Sequence, residues 1–133
     1  MAAPYGGSIR LYTSKEARAF YDDIVREKQM PSMSSAFALA AAIGFLLDDL
    51  SCKVTKPQEL MNVYSFDDSM LFEILVSWRF PDLEPKERLQ YVLDYAESGV
   101  VHLRKHYQKY NGIDLSMLMK EIKGKDTEEN SNQ

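Results

Sequence analysis

The sequence predicts an all-α protein, a compact bundle of about five helices in one domain. Its 133 residues are 45% hydrophobic and 27% charged, enough apolar side chains for one core in a chain too short for two. Along several segments apolar residues recur every three or four positions, the period of an amphipathic helix. Glycine and proline are few, at 6 and 5 residues, as expected of an ordered chain.

The first helix is predicted to begin at Thr13. Thr13 and Glu16 have the spacing of a capping box, in which each side chain bonds a backbone N–H of the first turn. One face of this helix is apolar and comprises Ala17, Phe20, Tyr21, Ile24 and Val25. The helix is expected to end before Pro31. Residues 1–12 show neither helical nor strand period, and we expect a flexible lead-in there.

The second helix, predicted over residues 36–50, is apolar on nearly every side and must therefore be covered all round. Ala36, Ala40 and Gly44 fall four residues apart on one stripe, which allows a neighbouring helix to approach closely. Because a chain this short has few other residues that could cover such a helix, we expect this stripe and Phe37 to form an interface with another chain.

Residues 51–66 lose the helical period, and a small β-hairpin and an irregular loop both fit this segment. Asp67 or Asp68 can cap a third helix, which Pro81 ends. The apolar face of this helix is predicted to consist of Met70, Leu71, Ile74, Leu75 and Trp78, widened by Phe72 and Val76.

A fourth helix is predicted to start at Glu84 and Pro85, since proline at the first helical position lacks only an N–H that has no partner there. Its apolar residues advance by threes and fours, as in the seam of a bundle. They are Leu89, Val92, Ala96, Val100, Leu103, Tyr107 and Tyr110. Gly99 allows a kink or a break. Asn111 and Gly112 form a left-handed stop.

The last part of the chain predicts a short fifth helix capped by Asp114. From Gly124 to Gln133 every residue other than glycine is polar, so residues 124–133 are expected to be a disordered tail. Residues 13–123 then form the single helical domain.

Charge, cysteine content and hydropathy bear on the setting of the protein. The net charge of −4 and the pI near 5.2 give no general attraction to nucleic acid or anionic lipid. A single cysteine, Cys52, excludes an internal disulfide and the usual multi-cysteine zinc sites and fits a reducing cytoplasm. No secretory signal is recognised, and the apolar segment 36–47 is shorter than the roughly 20 residues that span a membrane. We expect a cytoplasmic protein with no membrane partner.

Two histidines of the fourth helix, His102 and His106, have the spacing by which two imidazoles can face one metal ion. A third ligand is not apparent and the neighbouring side chains are cationic, so no metal is predicted. Tyr91 and Tyr95 continue the same flank toward the amino end of the helix. We predict that Tyr91, Tyr95, His102 and His106 bind a protein partner.

Arg104, Lys105 and Lys109 make the end of the fourth helix basic, with tyrosines interleaved. The alternative function is therefore a small DNA-binding module that contacts phosphates through these side chains. Cations near the carboxyl end of a helix are also stabilised by its dipole, without any ligand. The sequence contains neither a glycine-flanked nucleophile turn nor a glycine-rich phosphate loop, and we predict no enzymatic activity and no cofactor.

The stretches FALAAAIGF, residues 37–45, and YVLDYAESGVVHLRKHY, residues 91–107, resemble the dnd system-associated protein 4 family. Members of that family are encoded beside DNA phosphorothioation genes. The matching positions are Phe37, Ala40, Ala41, Gly44 and Phe45, then Tyr95, Ala96, Gly99, Val100 and Leu103. The family has a basic loop after the first motif, whereas this chain has Asp48 and Asp49 before Lys53.

The resemblance implies a setting in prokaryotic DNA modification and phage defence, and it supplies no catalytic motif. Together with the helix that is too apolar to expose, it leads to one functional expectation. We expect a non-enzymatic accessory protein that assembles with itself, as a homo-oligomer, or with larger proteins.

Overall fold

The computed structural model describes residues 10–62 and 71–131, and this part of the chain contains five helices and two strands. In chain order these are β1 (Arg10–Ser14), α1 (Lys15–Arg26), α2 (Met33–Leu47), β2 (Pro57–Asn62), α3 (Leu71–Arg79), α4 (Pro85–Tyr110) and α5 (Leu115–Ser131). The prediction of a mostly helical protein is confirmed. The small sheet adds an element that the all-α class does not include.

The centre of the core is the antiparallel contact between α2 and α4. A methyl group on Gly44 would overlap the backbone carbonyl of Tyr95, and a methyl group on Gly99 would overlap that of Ala40. The stripe of small residues therefore does allow close helix approach, but the partner helix belongs to the same chain. Ala36, Phe37, Ala40 and Gly44 are all buried within the chain, with the Phe37 ring 6.2 Å from that of Tyr21 of α1, so the prediction that they form an interface between chains is wrong.

Helix α4 begins and ends where the sequence predicts. Pro85 is its first residue, and the Glu84 N–H donates to Oε1 of Glu87 at 3.1 Å, which completes a capping box. Asn111 has a left-handed backbone at the other end, with φ of 54°. The helix is continuous through Gly99, because this glycine serves the contact with α2 and not a break.

The two strands pair in antiparallel fashion, with Leu11 opposite Met61 and Thr13 opposite Gln58. Leu11 is fully buried, which ties this strand to the core. The expected flexible lead-in over residues 1–12 is therefore wrong for residues 10–12. Within the segment 51–66, for which a hairpin and a loop were both open, residues 57–62 form β2, which pairs with a strand more than 40 residues earlier; the positions after residue 62 lie outside the described residues.

The start of α1 differs from the predicted capping box. Ser14 is the N-cap residue, and neither its side chain nor that of Thr13 caps the helix. Both hydroxyls instead donate to Glu97 of α4, at 2.6 Å from Thr13 and 2.7 Å from Ser14, and the Ser14 N–H donates to the same carboxylate at 2.9 Å. Glu97 is 6% exposed and joins β1 to α4.

Helix α3 buries only part of the predicted apolar face. Phe72 and Val76 face the core and Leu75 packs against it, whereas Leu71, Ile74 and Trp78 are exposed. The predicted cap at Asp67 or Asp68 and the predicted contact of Met70 lie outside the described residues. Both stripes of this short helix are apolar, so hydrophobicity alone could not select the buried one.

His106 links α4 to the start of α5. Its Nε2 accepts the Asp114 N–H at 3.0 Å, so the ring proton is on Nδ1, which faces Oε1 of Glu121 at 2.6 Å. Helix α5 continues to Ser131, so the expectation of a disordered tail from Gly124 is wrong for the backbone up to that residue. Among the described helices, none combines the length and hydropathy needed to cross a membrane.

Candidate interaction surface

The most prominent exposed apolar surface lies on α3 and consists of Leu71, Ile74 and Trp78, hereafter the α3 face. Their exposed fractions are 52%, 56% and 78%, respectively. The spacing of three and then four residues places all three side chains on one side of the helix. Elsewhere in the described ranges, exposed large apolar side chains do not form a three-residue stripe on one helix; they are Tyr12, Leu46, Val101, Leu115 and Met119.

Both charged residues of α3 point toward the rest of the chain. Glu73 accepts a hydrogen bond from Nε of Arg88 at 2.7 Å, and its side chain is largely buried. Arg79 donates to the Phe45 carbonyl at 2.7 Å and lies 3.3 Å from Oδ1 of Asp48. The α3 face therefore carries no charged side chain of its own helix.

Arg79 holds the carboxyl end of α3 against the carboxyl end of α2. Its guanidinium lies 3.7 Å from the ring centroid of Phe45, a cation–π distance, and donates to the Tyr95 hydroxyl at 3.1 Å. The Tyr95 hydroxyl in turn donates to Asp48 at 2.7 Å. Burial and this bond to Asp48 raise the pKa of Tyr95 to about 12, against the opposing effect of Arg79. The exposed face thus sits on a helix that three other side chains fix in place.

The size and composition of the α3 face are compatible with an interaction site. Together its three side chains expose roughly 400 Å², within the range of the largest apolar patch on an ordinary monomer, which often has a binding function. Tryptophan is also the residue type most enriched at the energetic centres of protein interfaces. Trp78 is the single tryptophan of the sequence.

The predicted strip of tyrosines and histidines does not form one exposed surface. Tyr95 and His106 are buried, the first by α2 and the second by α5. Tyr91 is half-buried, with its ring 4.9 Å from that of Phe80 in an edge-on contact. Solvent therefore reaches only parts of the flank that the sequence pattern indicates.

His102 lies beside a small pocket of about 100 Å³ between α2, α4 and α5. Its Nε2 is 3.1 Å from Oδ2 of Asp49. Burial alone would raise the pKa of the Asp49 carboxyl, but hydrogen bonds from Ser51 and His102 outweigh burial and lower it to about 2. Both ring nitrogens of His106 have other partners, so His102 and His106 do not share a ligand. Within residues 10–62 and 71–131, no group of three or more His, Cys, Asp or Glu side chains could hold a metal ion.

The three basic residues of the predicted DNA contact have different surroundings. The Arg104 guanidinium lies 5.6 Å from the Phe20 ring in a groove between α1 and α4. Lys105 lines the pocket beside His102, and the Lys109 ammonium lies 5.2 Å from the Tyr110 ring. The structure brings Lys105 and Lys109 to one flank of α4 and turns Arg104 toward α1.

The sequence pattern of the α3 face is indistinguishable from that of a core stripe. Leu71, Ile74 and Trp78 have helical spacing, and so do the buried Phe72 and Val76. The charged residues do not separate the two stripes correctly, because Glu73 and Arg79 flank the buried one, whereas charges ordinarily mark the face exposed to water. Comparisons of the chain with protein-family models, with curated proteins and with solved structures found no match.

Proposed function

We propose that this chain is a non-enzymatic accessory protein that works by binding another protein through the α3 face. The observation that carries the proposal is the exposure of Leu71, Ile74 and Trp78 on a helix whose charges are all turned inward. Exposing this much apolar surface has a cost in solubility, and covering it by a partner removes that cost.

The proposed setting is a cytoplasmic, prokaryotic DNA-modification or phage-defence system. It is supported by the resemblance of residues 37–45 and 91–107 to a family encoded beside phosphorothioation genes. The residues that carry this resemblance lie in the α2–α4 contact and build the scaffold. The α3 face lies outside both motifs, so we expect the partner to bind this face and not the motif residues.

The geometry does not favour the alternative of DNA binding. A phosphate-binding patch requires several cations on one surface, whereas Arg104 lies over Phe20 and only Lys105 and Lys109 share a flank. A filter-binding or mobility-shift measurement at low salt tests this alternative directly. Salt-dependent binding that Lys105→Ala and Lys109→Ala reduce would restore it.

A site-specific photo-crosslinker tests the proposed function. A benzophenone amino acid replaces Trp78 in the chain expressed in its own host, and the matched control places it at Tyr12, another exposed aromatic position on β1. We expect a defined protein adduct from position 78, reduced when Ile74→Ser is added, and none from position 12. If both positions give equal adducts, or position 78 gives none, the α3 face is not a binding surface.

A further inference from the structure

We infer that the partner of the α3 face is the same face of a second copy of this chain, related by a two-fold axis that passes beside Ile74. This inference rests on the proposed function and names its partner. It follows from the charge, the residue order and the size of the face.

The charge of the α3 face permits self-association. The chain as a whole carries −4, so two copies repel each other at most orientations. On α3, however, Glu73 is paired with Arg88, and Arg79 is held by Asp48 and the Phe45 carbonyl. Both charges of α3 are therefore already paired within the chain. When a second copy covers the α3 face, each charged group of α3 keeps its partner.

The order of side chains fits an antiparallel pair of α3 helices. Ile74 lies between the other two, three residues after Leu71 and four residues before Trp78. When two copies pack in antiparallel fashion about Ile74, each leucine comes opposite the tryptophan of the other copy. A large side chain then meets a smaller one at both ends, which is the self-complementarity that a two-fold interface requires. A parallel arrangement would instead place the two indoles opposite each other.

The size of the face indicates the strength of the dimer. Two faces of roughly 400 Å² bury about 800 Å² in total, below the 1,200–2,000 Å² of stable interfaces and in the range of transient ones. We therefore expect a reversible dimer with a dissociation constant on the order of 100 μM, and not an obligate one.

Single cysteines test both the partner and the orientation. In a Cys52→Ser background, Ile74→Cys, Leu71→Cys and Trp78→Cys are each incubated in a buffer of reduced and oxidised glutathione. In the antiparallel pair, residue 74 meets its own copy, whereas residues 71 and 78 lie roughly 9 Å and 12 Å along the axis from theirs. A disulfide needs Cα atoms within about 7 Å. Leu115→Cys on α5 is the matched control, since Leu115 has a similar exposed fraction.

We expect Ile74→Cys to form a disulfide-linked dimer, and Leu71→Cys mixed with Trp78→Cys to form a mixed dimer. Leu71→Cys and Trp78→Cys alone are expected to remain at the level of Leu115→Cys. Circular dichroism establishes that each variant is folded. Coupling of Ile74→Cys no greater than the control overturns self-association, and strong self-coupling at 71 and 78 overturns the antiparallel arrangement. If self-association fails while the photo-crosslinker at position 78 still gives a defined heavier adduct, the proposed function stands with a different partner.

Discussion

Gly99 of α4 lies directly against the backbone carbonyl of Ala40 of α2, so that the two helices cross with no side chain between them. One turn away, Gly44 lies in the same way against the carbonyl of Tyr95. These two contacts set the distance between the helices on which the rest of the fold is built. They also show that α4 of the same chain covers the small-residue side of α2.

Gly99→Ala is expected to destabilise the protein by about 3 kcal/mol, because the added methyl group overlaps backbone atoms that cannot rotate away. Urea denaturation followed by circular dichroism measures the change in the free energy of unfolding. Gly124→Ala is the control, since a methyl group there meets no atom within 4 Å. Equal stability of Gly99→Ala and the wild type would show that the two backbones are not in contact.

Glu97→Gln is expected to reduce the free energy of unfolding by about 2 kcal/mol. The carboxylate accepts three hydrogen bonds from Thr13 and Ser14, and the Ser14 hydroxyl already accepts the Thr55 N–H at 2.9 Å. An amide would therefore direct one of its N–H groups at a hydroxyl that has little capacity left to accept. Glu16→Gln, an exposed change at the predicted but unformed capping box, should leave the urea midpoint unchanged. A larger effect at Glu16 than at Glu97 would contradict the observed network.

Tyr95→Phe is expected to cost about 1 kcal/mol, because the change removes the donor to Asp48 and an acceptor for Arg79. It should also loosen the attachment of α3, which hydrogen exchange of the amides of residues 74–79 would detect as weaker protection. Tyr91→Phe is the matched control, since the ring contact of Tyr91 with Phe80 does not require the hydroxyl. If both variants behave alike, the Tyr95 hydroxyl does not contribute to holding α3 in place.

The Asp49 carboxyl gives a pH-dependent contribution of defined sign. Its pKa is about 2 in the folded chain and 3.8 ordinarily, so the folded state binds this proton less readily than the unfolded state. The resulting stabilisation is present above pH 3.8 and is lost as the pH falls toward 2. Asp49→Asn should therefore lower the urea midpoint at pH 6, and the difference from the wild type should shrink below pH 4. A difference that is independent of pH would contradict the bonds from Ser51 and His102.

The parts of the fold that local chemistry determines could be predicted from the sequence. The capping box of Glu84 and the left-handed Asn111 fix the ends of α4, and both signals lie within a few residues of the position they determine. The pairing of Leu11 with Met61 could not be predicted, since neighbouring residues carry no information about a partner fifty positions away. The capping role predicted for Thr13 is wrong for the same reason, because its actual partner, Glu97, is distant in sequence.

The candidate site was only partly predictable. The small-residue stripe of α2 correctly indicated a close helix contact, but spacing does not tell whether the second helix belongs to the same chain or to another. On α3 the two apolar stripes are equivalent by periodicity, and packing against α4 decides that Val76 is buried and Trp78 is exposed. The inward ion pairs of Glu73 and Arg79 become visible only once their partners on other elements are placed.

The intrinsic fluorescence of the protein tests the central claim most directly, because Trp78 is its single tryptophan and is the most exposed residue of the α3 face. The emission of the dilute wild type should be that of a solvated indole, readily quenched by acrylamide. As the concentration rises through about 100 μM, the emission should shift to shorter wavelength and quenching should weaken. Ile74→Ser should move this transition to higher concentration, whereas Leu115→Ser should not. Emission and quenching that stay constant up to about 1 mM, both for the protein alone and in extracts of its host, would contradict a binding function for the α3 face.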